Sequence, residues 1–148
     1  LAEEAASLLK ALQQRSKEAP DAYKQPIYVG IYQVGPRSRA LSGKRIEELA
    51  HFPDMTPEEY IAGQMVYPVD LLEKNIPGFA LCEFTIDKEG VILRPHIVRS
   101  THPEFAEEAL RIVKGMPKWA PALVEGKPTD SNYTLYIPFR PQLYRKNK

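Results

Sequence analysis

The chain has 148 residues, enough for one domain with a sizeable core plus an extension. Twenty Lys and Arg against nineteen Asp and Glu leave a net charge of +1, so the overall basic field that gathers nucleic acid is missing. A single cysteine, Cys82, excludes an intrachain disulfide, and no run nears the ~18–20 apolar residues of a membrane-spanning helix.

In chain order, Leu1, Ala5, Leu8, Leu9 and Leu12 recur at helical spacing and predict an amphipathic helix that stops before Pro20. Asp21 to Gln25 reads as linker. Ile27 to Val34 is rich in β-branched and aromatic residues between Pro26 and Gly35-Pro36, which predicts a strand. Arg37 to Gly43 reads as loop, and Ser42 is placed to cap a short helix through Leu49. Residues 1–50 thus read as an N-terminal extension.

The signals sharpen from Thr56. Thr56-Pro57-Glu58-Glu59 sets a hydroxyl at the cap, a proline at the first helical position and a carboxylate at the third. Tyr67-Pro68 ends that helix and opens another containing Leu71 and Leu72. Ala80, Cys82, Phe84 and Ile86 alternate as a strand, Asp87-Lys88-Glu89-Gly90 turns, and Val91 to Arg99 returns with its alternation slipping at Arg94-Pro95, the mark of a bulge. Thr101-His102-Pro103-Glu104 reads as a second capping box. It opens a helix whose Phe105, Ala109, Ile112, Val113 and Met116 share a face and whose end is set by Gly115 and Pro117. After a proline-bearing loop, Tyr133, Leu135, Ile137 and Phe139 alternate as the last strand. Arg145, Lys146 and Lys148 make residues 142–148 a basic, solvated tail. These elements predict an α+β fold in two layers. Short helices pack on a three-stranded antiparallel sheet, which becomes four-stranded if Ile27–Val34 joins it and occupies an edge.

Tyr67-Pro68, Ile76-Pro77-Gly78, the Asp87–Gly90 hairpin, Glu108-Ala109-Leu110-Arg111, Met116-Pro117-Lys118-Trp119-Ala120-Pro121, Gly126-Lys127-Pro128 and Tyr133-Thr134-Leu135 follow one another in order. With Phe52-Pro53 and Tyr60-Ile61, this set resembles the TonB C-terminal domain, especially its Bacteroides-like versions, over about residues 51–141. The resemblance implies a non-enzymatic domain without cofactor, set in the periplasm of the bacterial cell envelope. It implies an anchor and an ExbB/ExbD-type motor reached through a segment upstream of Leu1. Its partner would be the TonB box of an outer-membrane transporter, a peptide added as a strand to the last strand, with Tyr67 and Pro68 near it. A second reading keeps the fold as a stand-alone secreted or lipid-anchored scaffold, uncoupled from the motor.

Strand addition needs an unpaired edge, where backbone groups give affinity and alternate side chains give specificity. Pro138 has no N–H, so it belongs on the outer side of the last strand. By parity Thr134 and Tyr136 also face outward, while Tyr133, Leu135 and Ile137 pair inward. Tyr133 to Ile137, with Thr134 and Tyr136 as backbone docking residues, form the expected site. The same edges are open to pairing between two copies of the chain. The other chemical groups have plainer readings: Trp119 as a core plug, Cys82 as a small buried thiol, Asp87 and Glu89 as turn residues, and Glu58-Glu59 as charge complementing a helix N-terminus. His51, His96 and His102 lack metal-ligand spacing.

Overall fold

The computed structural model describes residues 27–146, so the helix expected before Pro20, the linker after it and the last two residues lie outside it. Among the described residues no helix is long and apolar enough to cross a membrane.

The described chain begins with a hairpin. β1 (Ile27–Val29) and β2 (Tyr32–Pro36) pair antiparallel around Gly30 and Ile31, so the single strand expected over Ile27–Val34 is two short ones. The helix expected between Ser42 and Leu49 does not form. Glu47 and Glu48 N–H both donate to Leu123 C=O, and His51 and Ala120 exchange backbone bonds. A helix of about two turns is marginal on its own, and these long-range pairings replace it. Residue 50 is also not a packing boundary, because Ala40, Ile46 and Ala50 are buried in the same core cluster as the sheet.

α1 (Pro57–Gln64) starts as its sequence requires, with Glu59 N–H donating to Thr56 Oγ1 at 3.1 Å and Pro57 in the first turn. α2 (Val69–Glu73) follows, then β3 (Gly78–Ile86) and β4 (Ile92–Ser100). Their register shifts between Glu83 and Thr85, and Arg94 takes φ +53 there, so the slip at Arg94-Pro95 is a bulge opposite Phe84. α3 (Pro103–Lys114) corrects the second capping box: His102 is the N-cap and makes no side-chain cap bond. Thr101 is held by β3 instead, its Oγ1 accepting from Phe79 N–H and its own N–H donating to Phe79 C=O.

The expected loop after α3 contains a missed hairpin, β5 (Ala122–Val124) and β6 (Lys127–Thr129), turned by Glu125 and Gly126 at φ +54 and +74. Lys127-Pro128-Thr129 conceals it in the sequence, since a short polar run with a central proline carries no strand signal. β7 (Ser131–Phe139) then lies against β3 in unbroken register, from Gly78↔Phe139 to Ile86↔Ser131. α4 (Pro141–Lys146) closes the described chain, so most of the expected basic tail is helical.

The architecture is α+β with short helices on an antiparallel sheet. The sheet has five strands in the order β1-β2-β7-β3-β4, two more than the minimum expected, because the N-terminal hairpin joins beyond β7. The core lies on one face, where Ala80, Cys82, Phe84 and Ile86 of β3 and Tyr133, Leu135, Ile137 and Phe139 of β7 meet Phe105, Ala109, Ile112 and Val113 of α3. Burying such side chains contributes roughly 1.5–3 kcal/mol each, the dominant favourable contribution to the fold.

Candidate functional site

β7 is central at one end and an edge at the other. On its inner side all nine residues pair with β3. On its outer side β2 supplies only Gly35 opposite Thr134 and Pro36 opposite Tyr133, and Arg37 N–H donates to Asn132 C=O at 3.1 Å. Hydrogen-bonded pairs alternate along an antiparallel ladder, so the Arg37–Asn132 bond makes Thr134 the next outward residue, then Tyr136, then Pro138. Pro36, without an N–H, falls where none is needed. Beyond Thr134 no described residue pairs with β7 on this side. The open stretch from Leu135 to Phe139 spans roughly 13 Å at ~3.3 Å per residue.

β2 leaves this edge because the hairpin crosses the sheet face turned away from the helices. At the hairpin's turn, a Cβ on Gly30 would sit 3.2 Å from Nη1 of Arg99, on β4 at the far side of the sheet. Leu81, whose side chain shares that face with Arg99 and Tyr136, is fully buried, and Val34 is only 7% exposed. Neither belongs to the main core cluster.

A polar row on the same face fastens the departing strand. Arg37 Nη2 donates to Thr134 Oγ1 at 3.0 Å and to Glu83 Oε2 at 3.2 Å, while Nη1 donates to Gln33 C=O at 3.0 Å. Glu83 stands opposite both Thr134 and His96, whose Nε2 lies 3.3 Å from the other carboxylate oxygen. Four strands therefore contribute to one charge-assisted network. The open half of the edge carries Tyr136, whose ring packs on Phe79 at 5.7 Å, with the Arg99 guanidinium 6.0 Å from the Phe79 ring centre.

The residues read from the sequence divide accordingly. Thr134 and Tyr136 lie on the outer edge, the first opposite β2 and the second open. Tyr133, Leu135 and Ile137 turn their side chains into the core. Tyr67 is displaced from surface contact to support. Its ring is 1% exposed, meets Phe105 and Phe139 edge-on, and its hydroxyl donates to Ile76 C=O. A buried Tyr needs such an acceptor, which explains why it faces inward. What remains at the surface there is half-buried Pro68 between exposed Val66 and Val69. Glu108 and Arg111 hold this segment: Glu108 accepts from Val66 N–H at 2.6 Å and from Arg111, which also donates to Gln64 C=O at 2.7 Å.

The other groups have structural roles. Trp119 is buried against Phe52, Phe84 and Tyr133. Asp87 Oδ1 accepts from the N–H groups of Glu89 and Val91 in the β3–β4 turn. Burial raises the Glu58 carboxyl at the start of α1. Burial also pushes the Cys82 thiol up to about 12, which keeps it protonated and unreactive. A thiol raised on folding stabilises the fold below its unfolded value of ~8.5, and that contribution is lost as pH climbs towards 12. Cys82 should therefore resist iodoacetamide at pH 8 in the native protein and react at once in denaturant. Rapid native labelling would contradict its burial.

The family model described as "Gram-negative bacterial TonB protein C-terminal" matches residues 63–141. Among solved structures, one titled as the molecular characterisation of the TonB2 protein from Vibrio anguillarum is 29% identical, over 51% of this chain and 73% of that one, with a TM-score of 0.41. No curated protein matches the chain.

Proposed function

Because this chain belongs to the Gram-negative bacterial TonB C-terminal family, we propose that its domain docks the TonB box of an outer-membrane transporter by strand addition along the outer edge of β7. As a TonB-type module it acts in the periplasm by binding other proteins rather than by catalysis. Coupling to an ExbB/ExbD-type motor would run through a segment outside this chain. The observation that carries the proposal is the end of β2 pairing at Thr134, which leaves Tyr136 and Pro138 outward with no described strand partner.

Magnitudes set the mode of binding. Tyr136 offers a donor and an acceptor and Pro138 an acceptor alone, so the open half provides about three backbone bonds worth roughly 0.5–1.5 kcal/mol each. Their sum, roughly 1.5–4.5 kcal/mol, at best reaches the low end of the ~4–15 kcal/mol that association costs in lost freedom. The open half therefore gives a weak foothold, and tight binding requires side-chain contacts or more of the edge.

The test is a titration of the isotopically labelled full chain with TonB-box peptides, followed by NMR. Shifts should appear on Leu135 to Phe139 first. Tyr136→Pro should weaken binding at least tenfold, about 1.4 kcal/mol. Tyr136→Ala, which loses the ring on Phe79 but keeps the N–H, should bind within a fewfold of the parent. Equal binding by the parent and Tyr136→Pro would sink the edge assignment. β2 on the other half of the edge favours the second reading, an uncoupled scaffold, and unshifted spectra at millimolar peptide would select it.

A further inference from the structure

On this reading of β7, we infer that β2 is a built-in occupant of the docking edge. The partner that engages the whole edge is then an extended basic peptide that repeats its pattern and takes its place. The pattern is visible in what β2 does. Val34 is a branched apolar side chain buried away from the core cluster. Gly35 sits opposite Thr134 at φ +110, where side-chain-bearing residues are strained. Pro36 lies opposite Tyr133, where the ladder needs no N–H. Arg37 reaches Glu83 and Thr134. A displacing segment is thus a branched apolar residue, a glycine, any residue including proline, then a cation.

Two features make exchange feasible. β2 pairs with β7 through only two residue pairs and the adjoining Arg37–Asn132 bond, so few bonds must break before an incoming strand gains as many. The free half of the edge also adjoins the occupied half on the same strand. A peptide seated on Tyr136 is therefore one outward residue from Thr134 and advances by taking over Gly35's position. Glu83 sets the sign of the charge. Arg37 holds one of its carboxylate oxygens and His96 the other, so a peptide that removes Arg37 must bring its own cation.

The experiment uses the full chain with Gly35→Val, which a β-branched residue at φ +110 makes incompatible with the pairing, and separately Arg37→Ala. The probe is the synthetic hexapeptide Tyr-Gln-Val-Gly-Pro-Arg, the sequence of residues 32–37, and the same peptide ending in Glu. In both variants the Thr134 amide should exchange at least tenfold faster than in the parent, while the Cys82 amide at the β3 centre stays as protected as before. The Arg-ending peptide should restore Thr134 protection in Gly35→Val and shift Glu83. It should bind that variant at least tenfold more tightly than the parent, and the Glu-ending peptide should bind tenfold more weakly. Unchanged Thr134 protection in both variants, or equal binding of the two peptides, overturns the inference. So does a transporter peptide that shifts Tyr136 in the parent at saturation with Thr134 and Gly35 undisturbed, although docking on β7 then stands. Restoration by the hexapeptide with no response to any transporter peptide supports strand exchange and removes the transporter as partner.

Discussion

Gly90→Ala is expected to destabilise the domain by about 3 kcal/mol, a large loss for one methyl group in a hairpin turn. Two costs add there. Gly90 holds φ +87, where an L-residue with a side chain is strained by roughly 1–2 kcal/mol. A Cβ would also stand 2.0 Å from the carbonyl oxygen of Trp119 and 3.1 Å from its carbonyl carbon. That neighbour is backbone and cannot rotate aside. It is also fixed, because Trp119 N–H donates to Gly90 C=O at 2.8 Å and the indole is wedged among Phe52, Phe84 and Tyr133. The methyl group must therefore push the Met116–Pro121 loop off the sheet or unwind the turn. Urea unfolding followed by Trp119 fluorescence reads both effects, as a lower midpoint and as a red-shifted native spectrum. A loss below ~1 kcal/mol would show that the loop has room the packing denies.

The same turn shows how far local chemistry could be read. Asp87-Lys88-Glu89-Gly90 announces a hairpin because its residue types suit a turn, and β3 and β4 flank it as expected. Thr56-Pro57 and the Arg94-Pro95 slip were legible for the same reason: the physics lies within a few residues of sequence. What escaped is set at long range. Ser42 suggests a cap, but Glu47 and Glu48 have an acceptor at Leu123, some 75 residues on, and nothing near Ser42 reports it. Thr101 has all the marks of a cap and instead binds Phe79 across the sheet, leaving His102 at the helix start. The resemblance puts Tyr67 and Pro68 near a bound peptide, but the Tyr67 ring lies buried, edge-on against the stacked pair Phe105 and Phe139. The outward parity of β7 followed from one proline. Which part of that edge β2 would cover did not, because the two-pair contact ends where the hairpin swings across the open face, a matter of tertiary geometry.

Phe105→Ala carries the largest expected loss, about 3–5 kcal/mol, the range for removing a fully enclosed aromatic side chain. Phe105 is fully buried on α3 and stacks on Phe139 with ring centres 4.1 Å apart and 16° between planes. Tyr67 closes the cluster edge-on, 5.6 Å from Phe105 and 5.7 Å from Phe139. Alanine leaves a void that neither neighbour can fill. Phe139 is held in the β7–β3 ladder opposite Gly78, and the Tyr67 hydroxyl is tied to Ile76 C=O. At ~4–8 °C per kcal/mol for a domain near 100 residues, the melting temperature should fall by roughly 12–40 °C. The damage should also be uneven. Phe139 ends β7, and the open stretch from Leu135 to Phe139 rests on this aromatic cluster, so its amides should lose protection before those of Ser131 to Tyr133. Phe105→Leu, which keeps most of the volume, should cost about 1 kcal/mol and leave that stretch protected. Peptide affinity should follow the same order, parent, then leucine, then alanine, because an edge that frays cannot hold an added strand. An alanine variant that melts within a few degrees of the parent would mean the void closes. One that melts low with uniform loss of protection would mean that the cluster supports the whole sheet rather than the open end of β7.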